Sequence, residues 1–152
     1  MSYYAKKERC MAAMKALLTA ETVNRPSGIQ IVTMWERVRN LKSRRIEVGV
    51  SRASIETHAD AVTKGRGLID LYVRAITSWS GDTEATHKEL CSFVEAHVER
   101  SDLADTLTTY ATHYKCIRAI PGDSTDELMN EDGIISVVSE YNVQLYCILE
   151  AT

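Results

Sequence analysis

The sequence predicts an all-α protein, a single compact bundle of six or seven helices in one domain that spans residues 1–152. Apolar residues recur at three- and four-residue steps in two long stretches, Ser51–Trp79 and Leu103–Ile117. That spacing is typical of a helix that buries one face. Capping patterns of Ser, Thr and Asp precede several segments, as expected at helix starts. A minor β element remains open at Arg45–Val50 and in the last segment.

The composition is that of an ordinary globular domain. At 152 residues the chain is long enough to bury one sizeable core. Hydrophobic residues make up 45% and charged residues 26%, which argues against wholesale disorder. No apolar run is long enough to cross a bilayer, and the first residues lack the apolar core of a secretory signal. We therefore expect a cytoplasmic protein without membrane insertion, whose four scattered cysteines are free thiols.

The N-terminal third predicts two helices. The first begins after Ser2 and ends before Pro26, which disfavours helical geometry in the residue preceding it. The second begins at Ser27, where Gln30 completes a capping box. Ile29–Thr33 also alternates as a strand would, but the helical period continues and favours a helix. The apolar stripe of this second helix comprises Ile31, Met34 or Trp35, Val38, Leu41 and Ile46.

The stretch Ser51–Trp79 is predicted to be the central helix around which the chain packs. It carries two adjacent apolar stripes, as expected for a helix that neighbours touch from two sides. The gap in the pattern falls at Gly65-Arg66-Gly67, where two glycines would bend the helix or split it in two.

The C-terminal half predicts the remaining helices. Clean stripes around Phe93 and along Leu103–Ile117 indicate two of them. A capping box opens a short helix at Ser124–Met129. The last segment, Ile134–Leu149, is the most apolar in the chain. We favour a buried helix there over a hairpin that turns near Tyr141, because no glycine marks a turn at that point.

Two pairs of histidine and cysteine have the spacing of metal ligands on one helix face. If their helices were antiparallel neighbours, the four side chains could form a tetrahedral zinc site. The apolar stripes around them explain the cysteines equally well as small core residues. We therefore expect no metal and no other cofactor, and no motif of a nucleophile with a base predicts an enzyme. The four residues are His87, Cys91, His113 and Cys116.

A cluster of basic residues is the clearest functional signal. The planar guanidinium group of arginine donates two hydrogen bonds at once to a phosphate, so a basic helix face suits a nucleic-acid backbone. The sequence thus predicts a binding protein that contacts RNA or DNA without reading bases. The predicted binding residues are Arg37, Arg39, Lys42, Arg44 and Arg45.

The distribution of charge along the chain supports an alternative function. Up to Ile76 the chain has fourteen Lys and Arg against seven Asp and Glu, a net charge of about +7. From Thr77 onward it has four against fourteen, a net charge of about −10. Such a split is typical of proteins that bind polyanions or associate with themselves. The alternative is therefore an interaction or self-assembly module whose basic N-terminal half pairs with acidic surfaces.

Overall fold

The protein is a mixed α/β structure, so the prediction of an all-α bundle is wrong. The computed structural model describes residues 3–36, 42–56, 64–79, 83–111 and 114–150. Within these ranges the chain forms one five-stranded sheet and three helices. The helices are α1 (Tyr3–Ala20), α2 (Thr83–Val98) and α3 (Leu103–Tyr110). The strands are β1 (Gln30–Thr33), β2 (Arg44–Glu56), β3 (Lys64–Ser78), β4 (Tyr114–Glu131) and β5 (Ile134–Glu150).

The strands lie side by side in the order β1-β2-β3-β5-β4. The pair β1–β2 is parallel, and the other three pairs are antiparallel. All three helices pack on the same face of the sheet. Buried side chains such as Leu17 of α1, Leu90 of α2 and Leu107 of α3 form one core cluster with the sheet residues Val73 and Val143. We call this the helix-covered face.

The segment predicted as the central helix forms β2 and β3 instead. In β3 every second residue from Ile69 to Ala75 is buried on the helix-covered face. Tyr72 lies on the opposite face and is also largely buried. The same face also holds the half-exposed Asp70 and Arg74, which are four residues apart, so the polar positions of β3 match a helical period by chance. Gly65 and Gly67, the two glycines expected to bend a helix, are residues of β3. Each of them pairs with a residue of β5.

The predicted basic second helix is also wrong. Gln30–Thr33 is strand β1, so the alternation of that segment outweighs its helical period. β2 begins at Arg44, which confirms the strand left open at Arg45–Val50. The connection between them includes residues 37–41, which lie outside the described residues.

A long hairpin of β4 and β5 replaces the last predicted helices. The expected short helix at Ser124–Met129 is part of β4, and neither alternative for Ile134–Leu149 is right, because that segment is one strand. The turn lies earlier, at Asp132 and Gly133, whose φ angles are +52° and +82°. Positive φ at both central residues is the geometry that Asp-Gly supplies in tight hairpins.

The predictions for two helices are confirmed. α1 and α2 lie where their apolar stripes predict them. α3 is present but ends at Tyr110, before the predicted end at Ile117. The chain then enters β4, whose Cys116 is buried against the helices. The stripe from Leu107 onward therefore combines one helix face with the start of a strand.

Candidate interaction surfaces

Of the five basic residues that the sequence groups on one helix, the structure describes three and places none of them on a helix. Arg37 and Arg39 lie outside the described residues. Lys42 is exposed just before β2, and its backbone N–H donates to Oε1 of Gln30 at 3.1 Å. Arg44 and Arg45 are consecutive strand residues and therefore point to opposite faces of the sheet.

The two arginines of β2 have different environments. Arg44 is half-buried on the helix-covered face, where its Nη1 atom lies 3.9 Å from a carboxylate oxygen of Glu89. Arg45 is only 7% exposed and pairs in register with the buried Ile76. A phosphate backbone could not reach both side chains from one side. That the five residues bind a partner stays a prediction, but the three described ones, Lys42, Arg44 and Arg45, do not lie on a helix.

Acidic residues concentrate at the other edge of the sheet. The part of the β4–β5 hairpin from the middle of β4 to the turn carries four exposed carboxylates, which we call the acidic hairpin: Asp123, Asp126, Glu127 and Asp132. β4 is the outermost strand on that side. The opposite side ends in β1 and β2, with Lys42, Arg44 and Arg52, which we call the basic edge.

Strand register places part of the basic edge and the acidic hairpin at the same end of the sheet. Arg44 pairs with Thr77, Thr77 with Val137, and Val137 with Leu128. Leu128 directly follows Glu127 of the acidic hairpin. Three strand spacings separate the two ends of this row, a distance of roughly 14 Å. Opposite charges thus lie at one level on opposite sides of the molecule.

A cleft between α2 and the hairpin contains a buried polar chain. The cleft has a volume of about 680 Å³. In it, the ring nitrogens of His87 lie 2.8 Å from Oγ1 of Thr77 and 2.8 Å from Oγ of Ser139. Ser139 donates in turn to Oδ1 of Asp126 at 2.5 Å. Burial lowers the pKa of His87, although the charge of Asp126 opposes the shift. A neutral ring that accepts from Thr77 and donates to Ser139 satisfies every partner.

These hydrogen-bonded side chains are connected in a different order from those of a catalytic triad. In a triad the carboxylate orients the histidine, which in turn activates the serine. Here the carboxylate of Asp126 binds Ser139, and Thr77 occupies the other nitrogen of His87. Ser139 is also only 3% exposed, which keeps a substrate from its hydroxyl. The arrangement holds α2 to the sheet and gives no nucleophile.

The residues weighed as a zinc site do not come together in the described structure. His87 and Cys91 line the cleft, and His113 lies outside the described residues. Cys116 is buried in the core, away from the cleft, where a hydrogen bond with Cys147 lowers the pKa of its thiol although burial opposes the shift. Within the described ranges no group of three or more His, Cys, Asp or Glu is placed to hold a metal ion.

Apolar side chains at the end of the hairpin are exposed on the helix-covered face. Trp79 is 64% exposed, Leu128 69% and Ile135 45%. They are neighbours because the backbone N–H of Trp79 donates to the carbonyl of Ile135 at 2.8 Å, and Leu128 pairs with Val137, two residues along β5. Residues two apart in a strand share a face. We call Trp79, Leu128 and Ile135 the hairpin patch.

A second apolar surface lies at the other side of the molecule, between α1 and the end of β1. It is a groove of about 750 Å³, which we call the α1 groove. The ammonium of Lys15 contacts Oε1 of Glu36 at 2.6 Å at its border. Burial would raise the pKa of Glu36, but its bonds to Lys15 and Thr33 outweigh burial and lower it. Its apolar lining includes Met11, Ala12, Ala16, Ala20 and Trp35.

Sequence reasoning missed both apolar surfaces. Trp35 and Trp79 had been assigned to the apolar stripes of helices, yet both are more than half exposed. One signal was available, because Asp132-Gly133 lies between β-branched and apolar residues and predicts a hairpin whose end must project. No comparable signal marks the α1 groove, because its walls come from separate elements.

The fold and surfaces define a class: a single-sheet α/β protein with helices on one face and oppositely charged edges. No protein-family model matches the chain, and no curated protein matches it. Among solved structures, a chain from the virion of a native gene transfer agent particle has a similar fold, with a TM-score of 0.54 and 15% identity. The match covers 95% of this chain and 99% of that chain. At such low identity, the likeness concerns the fold alone.

In the part of the chain that the structure describes, no helix combines the length and the apolar character that a membrane span requires.

Proposed function

We propose that the chain is a non-enzymatic structural protein that assembles with further copies of itself. The observation that carries this proposal is the placement of the basic edge and the acidic hairpin on opposite sides of the sheet. A chain with complementary charge on opposite sides can contact its next copy head to tail. Complementary charge speeds such association and selects the correct partner.

The comparison with solved structures supports the same function. The similar chain belongs to a virion particle, and the similarity extends over almost the full length of both chains. Head-to-tail contacts form closed rings where the rotation between copies closes, and filaments where it does not. Both are ways of building a particle from one fold. We also propose that the protein acts in the cytoplasm, because its four cysteines are all free thiols.

Binding to a nucleic-acid backbone is not part of the proposal. That hypothesis depends on five basic side chains on one helix, and the structure has no helix there within the described residues. The burial of Arg45 removes another of the expected phosphate contacts. The basic charge that remains exposed is better placed to meet the acidic hairpin of a neighbouring copy.

Light scattering on the purified chain tests the proposal. We expect the mass to increase with protein concentration at low salt and to decrease as salt screens the charged contact. The double variant Lys42→Glu/Arg44→Glu should remain monomeric where the wild type assembles. A matched control, Lys115→Glu/Arg118→Glu, changes charge equally at the far end of β4 and should still assemble.

The outcome that would contradict the proposal is a wild-type chain that is monomeric at every concentration and salt. Binding assays with short RNA and DNA test the competing hypothesis, that the protein binds a nucleic-acid backbone. If nucleic acid binds with a steep salt dependence and the protein never self-associates, the assembly function is wrong.

A further inference from the structure

We infer that the hairpin patch of one copy packs into the α1 groove of the next copy. This inference rests on the proposed function, because it takes a second copy of the chain as the partner. It adds the apolar contact that charge alone does not specify. The argument depends on the shape, position and charge of the two surfaces.

The hairpin patch has the shape of a projecting contact. Its three side chains adjoin on one face of the sheet, where β3 and β4 end and β5 begins. Trp79 and Leu128 each leave more than three-fifths of their surface in water. Single exposed apolar residues are common, but three adjoining large ones indicate an interaction site. Tryptophan is also a residue type that often dominates binding energy at interfaces.

The α1 groove has the shape of a receiving surface. Ala12, Ala16 and Ala20 follow each other at four-residue steps, so they form one small-residue line along α1. The indole of Trp35 lies at the groove and is 52% exposed. A volume of about 750 Å³ lies within the range that holds a medium-sized ligand, and therefore several side chains.

The two surfaces are at opposite sides of the molecule and cannot meet within one chain. α1 packs beside β1 and β2, whereas the patch belongs to the end of the β4–β5 hairpin. Each copy thus offers one projecting patch and one groove. A patch that complements a groove elsewhere on the same protein produces a head-to-tail contact. This is the geometry that the charged edges also require.

Charge around the two surfaces is complementary. Asp126 lies two residues before Leu128 on the same face of β4, so its carboxylate accompanies the patch into any contact. The charged residues in the groove lining are Lys15, Glu8 and Glu36, and Lys15 is paired with Glu36, so the attraction comes from cations next to the groove and not from its lining. One of them is Arg25, whose guanidinium donates to the carbonyl of Thr19, a groove residue, at 2.9 Å. The basic edge lies on the same side of the sheet as the groove, which adds to this attraction.

Two single variants test the contact, one on each surface. Leu128→Asp places a charge in the patch, and Ala12→Trp fills the groove. Both residues are exposed, so neither change disturbs the core. Each variant should weaken self-association at least tenfold in sedimentation velocity. The controls Ile117→Asp on β4 and Ala96→Trp on α2 introduce the same side chains at exposed sites elsewhere and should assemble as the wild type does.

Mixing the two variants gives the sharper result. The groove of the Leu128→Asp chain and the patch of the Ala12→Trp chain are both intact, so one such contact can form. We expect the mixture to form complexes of two subunits and nothing larger. Circular dichroism first checks that each variant is folded, and Ala12→Gln replaces Ala12→Trp if the larger side chain disturbs α1.

Three outcomes would overturn the inference. Assembly of both variants at wild-type strength would show that copies meet elsewhere, and the proposed function would still stand. A mixture of folded variants that stays monomeric would show that patch and groove are not partners. A monomeric wild type would overturn the inference and the proposed function together.

Discussion

Gly49 determines how β2 and β3 pack on the face opposite the helices. A Cβ atom on Gly49 would lie 2.1 Å from Cζ of Tyr72, so the ring lies directly over the glycine. The ring also lies under the guanidinium group of Arg74, whose Cζ atom is 4.4 Å from the ring centre. Arg74 in turn contacts Glu47 at 3.2 Å and Glu140 at 2.7 Å. Burial, and then the charge of Glu47, raise the pKa of Tyr72 to about 12, so the hydroxyl stays protonated.

We expect Gly49→Ala to lower the free energy of unfolding by about 1–3 kcal/mol, the usual cost of overpacking. In a Tyr72→Ala background the same change should cost much less, because the clashing ring is absent. Urea unfolding of the four proteins in this cycle measures both values. An equal cost in the two backgrounds would show that the ring is not what requires glycine.

Two buried histidines make the fold sensitive to acid. Burial lowers the pKa values of His87 and His97 below the ordinary 6.5. For His97 the charge of Glu21 opposes this shift, and that of Arg100 adds to it. Among the described residues, Nδ1 of His97 is a buried nitrogen without a hydrogen-bond partner. Protonation of such a ring is unfavourable in the folded state.

The sign of the pH effect follows from the lowered pKa values. Below about 6.5 the unfolded chain binds protons that the folded chain does not, so stability is full above that pH and is lost as pH falls towards the folded pKa. We expect His97→Leu to lose less stability than the wild type between pH 7.5 and pH 5.5. Urea unfolding at both pH values provides the comparison. The same loss in both proteins would exclude His97 as a source of acid sensitivity.

At the scale of elements, the helices α1 and α2 could be predicted, whereas among the strands only part of β2, at Arg45–Val50, was open to prediction. The two helices have good helix formers and one clean stripe each. β3 and β5 also bury a few apolar residues on the face opposite the helices, such as Tyr72 and Val138, which interrupt the alternation that marks a strand. The absence of a glycine near Tyr141 favours a helix over a hairpin in that segment, but the chain turns at Gly133, just before the segment begins.

The turn at Gly133 provides a test of the hairpin. Its φ of +82° strains any residue with a β-branched side chain. We expect Gly133→Val to lower the free energy of unfolding by about 1–3 kcal/mol. Gly133→Asn, which tolerates positive φ, should cost less and serves as the matched control. Equal unfolding midpoints for the two variants would contradict the observed turn geometry.

At the scale of the whole molecule, the charge split was visible in the sequence, but its arrangement was not. The sequence counts place basic residues early and acidic residues late in the chain. Which edge each group occupies depends on the pairing of β3 with β5, about seventy residues later, and on β4 lying outside β5. Pairing over such distances leaves no local pattern. The candidate surfaces combine residues from several elements and therefore could not be read from spacing.

The central claim is that the acidic hairpin of one copy meets the basic edge of the next. A charge exchange tests it most directly, with mass measured by light scattering at one low salt concentration. Lys42→Glu/Arg44→Glu and Asp123→Lys/Glu127→Lys should each be monomeric, and circular dichroism checks that each is folded, because Arg44 is half-buried beside Glu89. A chain that carries all four changes has the two charges exchanged, and we predict that it regains the wild-type mass. If the fourfold variant is folded and remains monomeric although the wild type assembles, the two edges are not partners and the account is wrong.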